Sequence, residues 1–72
     1  MSTFLVELYA TTPPEVRALA ASGLTRTVFV PGDETCFFLF EAGSASDVER
    51  ALDLAGVGYE RVVPAVVSGG VQ

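Results

Sequence analysis

The side chains able to do chemistry fall into two groups. Glu7, Tyr9, Arg26, Glu41 and Arg61 form the first; Asp33 and Glu34, adjacent on a loop, form the second. Two carboxylates with a tyrosine and nearby arginines can anchor a polar ligand, and Glu7, Glu41 or Tyr9 could move a proton as a general base or acid. Asp33 and Glu34 offer oxygen ligands to a hard or borderline divalent cation if a second copy of the chain supplies more. The chain has no His, Lys, Trp or Asn, and Gln72 is its only amide side chain. Any catalysis therefore falls to carboxylates, tyrosine, arginine, cysteine or hydroxyls. The lone Cys36 has no histidine to activate it and no Cys-x-x-Cys partner. It alternates in step with Phe38 and Phe40 and reads as a small core hydrophobe.

These residues are positioned by a hairpin running from Val28 to Glu41. Val-Phe-Val leads into Pro31-Gly-Asp-Glu34 and then Thr-Cys-Phe-Phe-Leu-Phe-Glu. Pro31 presets the first corner and Gly32 is expected to take the positive φ of a type II turn. Alternation places Cys36, Phe38 and Phe40 on one face of the second strand, and Thr35, Phe37, Leu39 and Glu41 on the other. Both faces are largely apolar, so both call for cover. A short chain can cover one with its own helices. The other points to a partner subunit.

Residues 4–9 read as the first strand, with Phe4, Val6 and Leu8 on the core side and Leu5, Glu7 and Tyr9 opposite. Thr12-Pro13-Pro14-Glu15 looks like a helix start: an N-cap, a proline at the first position and a capping-box carboxylate. Val16, Leu19, Ala20 and Gly23 continue it at helical spacing, with Gly23 as the C-terminal cap. Leu24–Val30 is the second strand. Ser44 or Ser46 starts a second helix, Ser46 with Glu49 matching another capping box, and Val48, Ala51, Leu52 and Ala55 form its buried stripe before Gly56. Tyr59 to about Val67 reads as the last strand, with Pro64 suited to an edge. The expected division is one domain over 1–67 and a flexible tail over 68–72.

The two halves echo each other. At a constant offset Val6 matches Phe38, Leu8 matches Phe40, Thr12 matches Ser44 and Val16 matches Val48. A doubled βαβ unit predicts an α+β, ferredoxin-like βαββαβ sandwich, with two helices on one face of a four-stranded antiparallel sheet. Right-handed crossovers put strands one and three in the centre. The open face then carries Leu5, Glu7, Tyr9, Phe37, Leu39 and Glu41, joined by Arg26, Val28, Val30, Arg61 and Val63 from the edges. An exposed patch of that size is rare on a monomer.

The chain has 72 residues, one cysteine and a net charge of −5. Domains below ~70–80 residues rarely gain more than ~3–5 kcal/mol from one core, and no internal disulfide can help here, so homodimerisation is the expected supplement. The acidic balance opposes nucleic acid and anionic membranes as partners. No apolar run approaches the ~20 residues of a membrane span, and the N-terminus lacks a signal-peptide pattern, so a cytoplasmic protein is expected.

The segments Phe4-Leu-Val-Glu7, Val30-Pro-Gly-Asp-Glu-Thr-Cys36, Leu39-Phe-Glu-Ala42 and Tyr59-Glu-Arg-Val-Val63 resemble a small bacterial ferredoxin-like family of unknown function. Some of its members, from actinomycetes, are described as nickel-binding or nickel-responsive. The resemblance implies a homodimer joined through the sheet face, and nickel as a divalent metal to consider. Without an imidazole, the expectation is weak nickel binding or none, with any site built on Asp33, Glu34 or other carboxylates.

Two functional readings follow. One is a small, non-catalytic homodimeric binding protein for a small-molecule ligand or a divalent metal, with Glu7, Tyr9, Arg26, Glu41 and Arg61 facing the space between subunits. The other is a small dimeric α+β-barrel enzyme of cyclase or isomerase type, in which Glu7, Glu41 and Tyr9 are the catalytic candidates. Against both stands a plain ion-pair rim around the dimer contact, which structural networks commonly produce. Both readings expect Glu7 and Glu41 to share one environment and at least one of them to be substantially buried.

Overall fold

The computed structural model describes residues 1–68. Its elements are β1 (Ser2–Tyr9), α1 (Arg17–Ala20), β2 (Leu24–Val30), a 3-10 turn (Pro31–Asp33), β3 (Thr35–Ala42), α2 (Ala45–Leu54) and β4 (Arg61–Pro64). The four strands form one antiparallel sheet in the order β2-β3-β1-β4, so the apolar strands β1 and β3 are central. This is a two-layer α+β fold. Residues 69–72, most of the expected tail, lie outside the described residues.

Period-two alternation decides the core. Phe4, Val6, Leu8, Cys36, Phe38, Phe40 and Ala42 project to one side, where Leu19 of α1 and Val48 and Leu52 of α2 complete a single buried cluster. Phe38 and Phe40 meet edge to face with ring centroids 6.2 Å apart, the arrangement favoured by the ring quadrupoles. Fully burying each such side chain contributes about 1.5–3 kcal/mol. Cys36 belongs to this cluster with none of its surface exposed. Burial pushes its thiol up from the usual value, partly offset by the Phe37 backbone N–H.

The two helices differ in how they begin. At α2 the Ser44 hydroxyl accepts a hydrogen bond from the Asp47 N–H at 3.2 Å. Ser44, rather than Ser46, is therefore the cap. Gly56 closes the far end with φ +72°. In the first half the expected start at Thr12 does not form, and the helix is the single turn Arg17–Ala20. Pro13 precedes Pro14, and a residue before proline is disfavoured in the helical region, which works against a start at Thr12. Glu15 still serves the helix start, its carboxylate accepting from the Arg17 N–H at 2.9 Å.

The hairpin also departs from expectation. Pro31–Asp33 winds as a 3-10 turn, and the left-handed residue is Glu34, φ +53°, not Gly32. The Glu34 N–H bonds back to the Pro31 carbonyl, and its own carbonyl accepts from Ala10, tying the turn to the end of β1. Gly23 takes φ +105° where the backbones crowd: a Cβ there would lie 2.3 Å from the Glu41 carbonyl oxygen. The last strand is shorter than the sequence suggests, ending at Pro64, although the Ala65 N–H still reaches the Thr3 carbonyl.

Candidate functional site

Among the described residues no helix covers the other side of the sheet, and strand register arranges it in rows. Leu5 lies between Leu39 and Val63, with Arg26 beyond Leu39. In the next row Phe37 has Val28 on one side and Glu7 on the other, followed by Arg61. Leu5, Phe37, Leu39 and Val63 are half-buried, and Val28 is 45% exposed. The centre of this face is therefore an apolar strip, and its polar groups lie around it.

Glu7 and Arg61 face each other across β1 and β4, with the guanidinium Nε 2.8 Å from the carboxylate. Their side chains keep 34% and 62% of their surface. Such a pair contributes at most ~1 kcal/mol in solvent. Tyr9, 65% exposed, donates its hydroxyl to the Glu34 carboxylate. That acceptor holds the phenolic proton and raises the Tyr9 pKa, with a smaller contribution from burial. Tyr59, on the approach to β4, is also raised, by burial first and then by the charges of Asp53 and Glu49.

Glu41 stands elsewhere. Its partner across the ladder is Thr3, four positions from Glu7, and the Thr3 hydroxyl donates to its carboxylate. Four residues of extended strand separate the two acids by about 13 Å. Glu7 and Glu41 share a face but not an environment, and neither is buried within the chain. Alternation fixed their face, while their position along the strand depends on pairing register.

An open cavity of about 570 Å³ lies at the Glu41 end, within the ~300–1,000 Å³ range of small-molecule sites. Thr3, Thr25, Arg26, Leu39 and Glu41 line it, with Val67 and Ser68 forming another wall. Thr25 sits at a bulge between Leu24 and Arg26, and its hydroxyl donates to the Leu39 carbonyl at 3.1 Å. Among the described residues no carboxylate lies within ion-pair distance of the Arg26 guanidinium. The sequence singled out Arg26 and Glu41 but missed Thr3. An antiparallel pairing of Leu5 with Leu39 would have placed Thr3 beside Glu41, and that register was the missing signal.

Asp33 and Glu34 sit on the exposed turn, Glu34 already engaged by Tyr9. Among the described residues no three His, Cys, Asp or Glu side chains converge as metal ligands. With no imidazole in the chain and Cys36 sealed in the core, the side-chain donors open to a divalent metal are chiefly carboxylates, a set poorly matched to nickel. No helix among the described residues is long and apolar enough to cross a membrane. Compared with known proteins, the chain matches no family model, no curated protein and no solved structure.

Proposed function

We propose that this chain is a small, non-catalytic binding protein of ferredoxin-like fold, active as a homodimer joined through the open sheet face. The observation that carries this reading is the apolar strip Leu5, Val28, Phe37, Leu39 and Val63, left without cover on the two central strands and their neighbours. The ferredoxin-like assignment is supported by the element order and by the β2-β3-β1-β4 sheet. The chain measures 32 × 30 × 20 Å. Its broad face is thus of the size that a standard interface buries, about 800 Å² per partner. A second copy laid on the strip would wall the cavity at the Glu41 end, making it the place for a small ligand.

The binding reading is preferred to the cyclase or isomerase alternative because the proton-transfer candidates are otherwise engaged. Glu7 is paired with Arg61, and Tyr9 donates to Glu34. Sedimentation velocity tests the assembly. A dimer is expected at micromolar concentration, and Phe37→Glu should dissociate it by burying an unpaired charge. A stable wild-type monomer would overturn the reading. Native mass spectrometry of the purified protein should show the dimer with any ligand it retains.

A further inference from the structure

We propose that the cavity beside Glu41 binds an α-amino acid with an aliphatic side chain, Arg26 taking its carboxylate and Glu41 its ammonium. This names the ligand class for the binding reading above and rests on it. Arg26 lies opposite Leu39, and Glu41 is two residues further along the neighbouring strand. Diagonal neighbours of this kind sit about 7–8 Å apart. The two charges do not meet in an ion pair. Neither charge is therefore spent on the other, and both line the cavity, open to an ammonium and a carboxylate carried on one carbon.

The surroundings narrow the class. The Thr3 hydroxyl pins the Glu41 carboxylate, and the Thr25 hydroxyl is committed to a backbone carbonyl. Leu39 and Val67 add apolar walls for a hydrocarbon side chain. A simple anion would gain Arg26 but meet repulsion from Glu41, and a simple cation would face the reverse. A zwitterion satisfies both. Charge-assisted hydrogen bonds of this type are about twice as strong as neutral ones, so losing either charge should be costly.

The test is an amide-resolved NMR titration of the full chain with three probes: L-leucine, isovalerate (carboxylate without ammonium) and isopentylamine (ammonium without carboxylate). Leucine should bind saturably, shifting signals of Thr3, Arg26, Leu39 and Glu41, and each single-charge analogue should bind at least about tenfold more weakly. Arg26→Gln should erase the preference for leucine over isopentylamine, and Glu41→Gln the preference for leucine over isovalerate. Arg26 is exposed and Glu41 part-buried, and the same spectra report whether each variant is folded. Equal binding of the analogues, or no localised shifts at millimolar leucine, would overturn the proposal. Sedimentation of the same samples separates the two claims: a dimer that ignores leucine refutes the ligand class alone, whereas a monomer refutes the binding reading beneath it.

Discussion

The two faces of the sheet are built from the same strands and both carry large apolar side chains, yet they end in different states. On the helical side Phe4, Val6, Leu8, Cys36, Phe38 and Phe40 all retain 6% or less of their surface. On the other side Leu5, Phe37 and Leu39 are only half-buried and Val28 remains 45% exposed. The charges Glu7, Arg26, Glu41 and Arg61 all lie on the open face, and helix is supplied to the other: one turn from α1 and the longer α2 suffice for a single layer. The covered face therefore supplies the stability of the chain, and the open face is the one to which the proposed association and recognition are assigned.

Single substitutions on adjacent residues of β3 test that division most strongly. Phe38→Ala should cost about 3–5 kcal/mol in a denaturant titration, enough to unfold much of a domain this small. Leu39→Ala, half-buried on the opposite face, should cost the chain much less at low protein concentration while weakening the proposed dimer. If both lose the same stability when monomeric, the division between faces fails. Gly23→Ala tests the seam under the sheet edge. The Glu41 carbonyl and a φ of +105° both exclude a Cβ, so a loss of about 1–3 kcal/mol is expected. Gly32→Ala, in open space with an ordinary φ, should be close to neutral by the same measurement.

Smaller effects sharpen the contrast. Ser44→Ala removes the cap of the helix that covers the core and should lower stability by about 1 kcal/mol, with no change in the affinity of the proposed dimer. Titration distinguishes the faces by cause. Cys36 is raised by burial, whereas Tyr9 is raised chiefly by its bond to Glu34. Above the unfolded thiol value of about 8.5, the unfolded chain loses the Cys36 proton while the folded chain keeps it, so stability should fall as pH rises. Cys36→Ala should flatten that alkaline slope despite its own packing cost. Glu34→Gln should leave the slope near pH 9 intact and return the Tyr9 phenol toward its ordinary value in an ultraviolet titration.

Much of this fold was legible because alternation is a strong signal. The core side of β1 and β3, the central place of both strands, the serine start and glycine stop of α2, and the burial of Cys36 all follow from spacing and residue type. The departures share a local cause each. Thr12-Pro13-Pro14-Glu15 has the residues of a helix start, but the second proline disfavours a helical conformation at the first. The turn offered Gly32 the positive φ, but a 3-10 path delivered it to Glu34 instead. Of the candidate site, the face of Glu7, Arg26, Glu41 and Arg61 could be read, as could the prospect of an arginine beside Glu7. The separation of Glu7 from Glu41 could not, because alternation carries no information about register.

Neither border of the sheet is a good template for another strand. β2 is broken by the bulge at Thr25 and presents Arg26, while β4 has only four residues and stops at Pro64. Short, twisted, charged or proline-bearing borders are the features that keep sheets from adding strands end over end. A chain so rich in phenylalanine and valine would otherwise be prone to fibril growth. Closing the edges leaves the flat face for the proposed dimer, and a two-fold contact there would consume its own surface and stop at two copies. The same outer strands that look irregular thus favour finite assembly over open-ended aggregation in a crowded solution.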